Sequence, residues 1–249
     1  MARLSATNRG IATSRLVSDV RSLAGTRLMV DAAPVIPRYS LDFPGGTVVV
    51  NNSLSVASLQ NLNSSDRCFF MKVRYETLTT GATRNYLIAQ TGARGIFGNK
   101  GGSPAGKFGI DDGSTIQPFT TIPSLLTWYS LMLNFNTTTK QWNLYVNGVV
   151  DATTVTVTPP TSTNAFIFGH HHSQTLWGFD GAIYQIYELN RLGTVDEALA
   201  HHSLDVVPSG AYAFKYPMTE GTGNPIDTSG NGIVATKGSL VTWNSVLVP

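Results

Sequence analysis

The stretch WYSLMLNFNTTTKQWNLYVNGVVDATTVTV, residues 128–157, decides the fold class. Tyr129, Leu131, Leu133 and Phe135 recur at every second position, the spacing that puts apolar side chains on one face of a β-strand. The polar run Asn136-Thr137-Thr138-Thr139-Lys140 then turns the chain into a second alternating run, in which Trp142, Leu144 and Val146 share a face. Asn147-Gly148 follows. Both central residues of a type I′ turn need positive φ, which Asn and Gly tolerate, so a second hairpin into 149–157 is predicted. Local chemistry alone thus gives three consecutive antiparallel strands.

The same pattern extends in both directions. Upstream, residues 68–75 alternate Phe69, Met71, Val73 and Tyr75 against Cys68, Phe70, Lys72 and Arg74, which predicts a half-buried strand. Strands are also predicted at 85–89 and 107–110. A glycine-rich stretch, 92–109, leads into the second of these, which ends in the turn sequence Asp111-Asp112-Gly113. Downstream, Pro159-Pro160 stops the third strand of the central meander, and further strands are predicted at 165–168 and 182–187. One helix is expected, over 195–204: Thr194 and Glu197 form a capping box, Asp196 and Glu197 suit its positive start, and His201 and His202 lie near its end. Runs at 211–216, 233–236 and 240–247 return to β alternation. The sum is an all-β chain, an antiparallel jelly-roll β-sandwich with one short helix after the closing strands.

Composition narrows the function classes. Length, 249 residues, suits one large β-sandwich. Charged residues are 13% of the chain and the net charge is +2, so no global field draws it to nucleic acid or to an anionic membrane. Cys68 is the single cysteine, which excludes an internal disulfide and any cysteine-based zinc module. There is no apolar run of membrane-spanning length and no signal-peptide pattern, so assembly in cytoplasm is expected. The Asn63-Ser64-Ser65 and Asn136-Thr137-Thr138 sequons are read as turns.

Residues 1–38 differ from the rest and form an N-terminal arm and linker, with the sandwich spanning 39–249 and 206–249 as its C-terminal extension. Arg3, Arg9, Arg15, Arg21 and Arg27 stand against Asp19 and Asp31, without an aromatic residue. Leu16, Val17, Val20 and Leu23 fall at helical spacing before Gly25, and Pro34 and Pro37 interrupt regular structure. The arm is therefore extended or partly helical, and its arginines are the candidate partner-binding residues.

The order of these landmarks resembles the concanavalin A-like lectin/glucanase superfamily, in its laminin G-like and pentraxin-like jelly-roll branches. Residues 39–46 (YSLDFPGG) are similar to its opening strand, 68–75 to the following core strand, and 142–148 (WNLYVNG) to its central hairpin. Phe168-Gly169, Phe179-Asp180-Gly181-Ala182-Ile183 and 187–190 (YELN) resemble its closing strands. One departure is positional: Glu220-Gly221-Thr222-Gly223, Asp227-Thr228-Ser229-Gly230-Asn231-Gly232 and Trp243 look like a segment that usually begins such domains, yet here it follows the helix.

The resemblance implies a lectin-like or glucanase-like activity, and the residues discriminate between them. Glucanases of this type need two closely placed carboxylates on a Glu-x-Asp-x-x-Glu strand. The only glutamates here are Glu76, Glu188, Glu197 and Glu220, in no such pattern, so no catalytic residue is assigned. His170-His171-His172 could bind a metal, but successive strand residues point to opposite faces and no cysteine or glutamate completes the set. Asp111 and Asp112 could offer oxygen ligands to calcium, as related lectin-like domains do, though Asp-Asp-Gly is also an ordinary turn. Trp177, beside the histidine run, is the aromatic residue best placed outside a core pattern to stack on a sugar. The candidate ligand-binding residues are Trp177, His171, Asp111 and Asp112. The functional expectation is a non-enzymatic structural protein of a bacteriophage-like virion, a capsid decoration or fibre subunit. It would attach through its arm to other virion proteins, form homo-oligomers, and bind neither membrane nor specific nucleic acid. The alternative is a carbohydrate-binding module for host surface glycans.

Overall fold

A computed structural model describes residues 38–45, 52–57, 61–78, 84–90, 95–100, 106–111, 116–159, 161, 163–171 and 178–245. All of them lie in the unit Pro37–Pro249. The five arginines of the arm and its helical spacing lie outside the described residues.

Fifteen strands are described: β1 (Tyr39–Pro44), β2 (Leu54–Val56), β3 (Arg67–Tyr75), β4 (Arg84–Gln90), β5 (Gly95–Lys100), β6 (Phe108–Asp111), β7 (Ile116–Pro118), β8 (Trp128–Asn136), β9 (Gln141–Val146), β10 (Val149–Thr156), β11 (Phe166–Phe168), β12 (Asp180–Leu189), β13 (Tyr212–Tyr216), β14 (Ala235–Lys237) and β15 (Thr242–Ser245). One helix, α1 (Val195–Ser203), follows β12. The strands form two antiparallel sheets. The larger runs β10-β9-β8-β3-β12-β1-β15, with β13 also on β12, and the smaller runs β14-β2-β11-β4-β5-β6-β7.

The central meander β8-β9-β10 is in the predicted register, with Phe135 opposite Trp142 and Val146 opposite Val149. Its second turn has Asn147 and Gly148 at φ 52° and 80°, the left-handed region that a type I′ turn requires. The two sheets close on one apolar interior that includes Leu41, Phe69, Val73, Leu133, Trp142, Phe168 and Phe214. Burying each large side chain of this kind contributes about 1.5–3 kcal/mol.

Residues 212–245, which contain the positional departure noted above, contribute to the same two sheets: β13 pairs with β12, β14 with β2, and β15 with β1. Tyr39 and Ser245 are direct Cα partners, so the sandwich is entered and left at one place. A segment that usually opens such a fold closes it here by lying beside the first strand.

The half-buried reading of 68–75 needs correction, because β3 is buried on both faces apart from Arg74. The reason is α1. It lies over the outer face of the larger sheet, where Cys68, Phe70, Met132, Tyr187 and Leu189 pack with Ala198. Thr194 and Glu197 make both bonds of the predicted capping box. Beneath the helix, His201 and Ser130 share a hydrogen bond of 2.7 Å. Both are buried, and burial pulls the His201 imidazole down to about 3, with Lys72 adding to the effect. The thiol of Cys68 is sealed in the same layer, and burial pushes its pKa well up. No helix among the described residues is long and apolar enough to cross a membrane.

Candidate functional site

The outer face of the smaller sheet is built differently. Tyr86 on β4 lies in a cross-strand row with Gly98 on β5 and Gly109 on β6. Neither glycine could carry a side chain: a Cβ on Gly98 would come 2.1 Å from the Asn85 carbonyl oxygen, and one on Gly109 would come 2.2 Å from Ile116. Tyr86 is fully buried in this row, and its hydroxyl donates to Asp111 Oδ2 on β6. Arg84, two residues before Tyr86 and so on the same face, reaches the same carboxylate oxygen at 2.9 Å and the Tyr86 hydroxyl at 2.9 Å.

The fourth member arrives from β11. That strand pairs with β4, placing Phe168 opposite Ile88, and Gly169 N–H then donates to the Leu87 carbonyl. The chain continues to His171, whose ring lies 5.0 Å from that of Tyr86. His170 Nδ1 is held by the His171 carbonyl at 2.8 Å. Three segments of chain, β4, β6 and the residues after β11, thus bring Arg84, Tyr86, Asp111 and His171 together.

Burial pushes the Tyr86 phenol upward and the Asp111 carboxylate pushes it further, so it stays protonated and serves as a donor rather than a nucleophile. The cluster groups a guanidinium, a carboxylate, a phenol and an imidazole, and of these only Arg84 is not buried. Guanidinium and carboxylate are groups that hydrogen-bond a sugar's hydroxyls.

Of the residues singled out from sequence, Asp111 and His171 meet here, joined by Tyr86. Asp112, His172 and Trp177 lie outside the described residues. Arg84 and Tyr86 were missed, and the available signal was weak: Gly98 and Gly109 read only as loop glycines until the strand register aligned them. Arg84 and Tyr86 both donate to Asp111 Oδ2. Among the described residues, no three His, Cys, Asp or Glu side chains are grouped to hold a metal ion.

The remaining acids have partners of their own. Glu188 faces the sandwich interior and pairs with Arg67 at 3.3 Å. Burial pushes its carboxyl up to about 7 against the pull of Arg67. Glu197 caps α1 and is bound by Arg191 at 2.9 Å, and Glu220 accepts from Ile226 N–H. Asp42 feels both Glu76 and Asp180, and its pKa is raised by burial and then by Glu76. Arg74 lies among these carboxylates, 2.5 Å from Glu76 and 5.5 Å from the Trp128 ring centre, which balances the charge. Trp142 is core, its indole N–H donating to the Val157 carbonyl at 2.9 Å. A groove of about 320 Å³ beside α1 is lined by Asp196, Glu197, Ala200, Val206, Val207, Pro208 and Ser209. It has no ring on which a sugar could stack.

Two antiparallel sheets closed on one apolar core, with a single α-helix among the described residues, define an antiparallel jelly-roll β-sandwich. Among solved structures, the chain is similar to a proposed carbohydrate-binding protein from Bacteroides ovatus, with TM-score 0.66 and 16% identity over 88% of this chain and 62% of that one. It is also similar to a heptameric SAP-like pentraxin from Limulus polyphemus, with TM-score 0.51 and 11% identity over 84% of this chain and 99% of that one. The chain therefore spans less than two thirds of the length of the Bacteroides protein. No protein-family model matches it, and no curated protein matches it in sequence.

Proposed function

We propose that this chain is a non-enzymatic, lectin-like glycan-binding domain, and that the Arg84–Tyr86–Asp111–His171 face is where it holds the sugar. The observation that carries the reading is the Tyr86 hydroxyl, in a row with two glycines, bonded to a carboxylate already paired with a guanidinium. Arg84 supplies donors to the sugar's hydroxyls, and Asp111, with Tyr86 and His171 buried beside it, fixes the orientation of the guanidinium. The likeness in fold to the Bacteroides protein supports it. A glycan array probed with the native full chain, with Arg84→Ala and with Asp111→Asn tests it. Binding by the native chain that both substitutions abolish, and that survives a calcium chelator, is expected. A native chain that binds no glycan removes the reading.

A second reading is favoured by the composition of 1–37, five arginines against two aspartates with no aromatic residue. In it, the sandwich is displayed on a virion through that segment and associates with further copies. Deleting 1–37 should then leave a folded domain that no longer co-sediments with the particle.

A further inference from the structure

Strand β4 turns its other face inward, and there a second set of polar groups stands unmatched. Asn85 and Asn99 are opposite each other on β4 and β5, and Phe108 on β6 is the next partner in the row. The Phe108 ring lies 6.0 Å from that of Tyr75, which enters from β3 in the facing sheet. Asn85 Nδ2 reaches the Thr77 carbonyl at 3.5 Å, so its amide also points to the end of β3. Tyr75, Asn85 and Asn99 therefore converge across the sandwich, at 0%, 1% and 0% exposure. Tyr75 Oη, Asn85 Oδ1 and both amide atoms of Asn99 have no hydrogen-bond partner among the described residues.

Four buried polar atoms left unmatched are expensive, since each forfeits its solvation without replacement. All four are uncharged. Burial pushes the Tyr75 phenol well up, which keeps it neutral. The surroundings are aromatic: Phe179 lies edge-on to Tyr75 at 4.9 Å, Phe97 stacks on Phe108 at 5.6 Å, and Tyr129 meets Phe108 at 6.2 Å. The Tyr129 hydroxyl is taken by Ser124 N–H at 2.7 Å. An ion would not be stabilised among such groups, whereas O–H groups would be. One carboxamide matches a pair of them, Oδ1 accepting from the first and Nδ2–H donating to the second.

We infer that Tyr75, Asn85 and Asn99 form an internal binding site for a pair of uncharged hydroxyl groups, supplied by ordered water or by the adjacent hydroxyls of a small neutral polyol. The site is independent of the glycan reading, being on the opposite face of β4. The first hydroxyl donates to Asn99 Oδ1 and accepts from Tyr75. The second accepts from Asn99 Nδ2 and donates to Asn85 Oδ1.

High-resolution crystals of the full chain, grown without polyol and then soaked in glycerol, test this directly. Ordered oxygen peaks within hydrogen-bond distance of Asn99 and at least one of Tyr75 and Asn85 are expected. Peaks that glycerol leaves unchanged identify water as the source, and continuous density joining them in the soaked crystal identifies the polyol. An interior without peaks in both crystals overturns the inference. Asn99→Leu, close in shape and unable to bond, gives a second reading by thermal unfolding: Tm falls by about 2–4 °C or more if hydroxyls are bound. It rises if the amide is an uncompensated polar group, which would also overturn the inference.

Discussion

The outer faces of the two sheets start from the same alternation of residues and are finished in opposite ways. On the larger sheet, Phe70, Met132, Tyr187 and Leu189 are roofed by α1, and the polar groups beneath the helix, Ser130 and His201, bond to each other. On the smaller sheet the row opposite Tyr86 is glycine, and the residues around it are a guanidinium, a carboxylate and an imidazole. The first arrangement uses its outward side chains to hold a helix. The second has two glycines where a side chain would clash, in a row with a buried ring whose hydroxyl bonds to charged groups. That difference is why the smaller sheet is assigned the binding role and the larger one the structural role.

Substitutions at the two faces should therefore separate stability from binding. The largest effect is expected from Phe70→Ala beneath the helix, which should lower unfolding free energy by about 3–5 kcal/mol in a urea titration while glycan affinity of the folded fraction is unchanged. A matching loss of affinity would break the division of labour.

Next in size is a pH effect that two buried groups nearly hide from each other. His201 titrates at about 3 in the folded chain against an ordinary 6.5, so the unfolded chain binds more protons over that range and stability falls as pH drops below 6.5. Glu188 titrates at about 7 against an ordinary 4.5, so the folded chain binds more protons between 4.5 and 7 and stability rises as pH falls through that window. Each slope is about 1.4 kcal/mol per pH unit. The two oppose each other between 4.5 and 6.5. His201→Gln, which can keep the bond to Ser130, should unmask the Glu188 limb as a gain of about 3 kcal/mol from pH 7 to 4.5. Urea midpoints across that range that stay flat in the variant would contradict the Glu188 assignment.

At the binding face, Arg84→Ala should cost at least tenfold in glycan affinity, about 1.4 kcal/mol. Its stability cost should be about 1–3 kcal/mol, because it withdraws the cation from a buried carboxylate. Smallest is Thr194→Ala, which removes one half of the capping box and should cost about 1 kcal/mol by the same urea assay. Glycan affinity should not change.

Much of this architecture was readable in the chain because its signals are local. The hairpins of residues 128–157 follow from alternation and Asn147-Gly148, and α1 follows from Thr194 and Glu197. Short strands were not readable: β2 and β7 have three residues each, too few for a period, and are defined by their partners β11, β14 and β6. The register shift at Gln185, which sits at φ 65° within β12, has no sequence signature. The double burial of β3 depends on where a distant helix docks. The candidate site was half readable for the same reason. Asp111 and His171 stand out as residue types, whereas Arg84 and Tyr86 acquire their meaning from register, through glycines on two neighbouring strands.

The central claim, that the smaller sheet's outer face receives the sugar, is most directly tested by titrating the best array glycan into isotopically labelled full-length chain and mapping backbone chemical-shift changes. Changes concentrated at Arg84, Tyr86, Asp111 and His171, with α1 and β3 unmoved, are predicted. Saturable changes centred on α1 and the strands beneath it, with Arg84 and Asp111 silent, would contradict the claim.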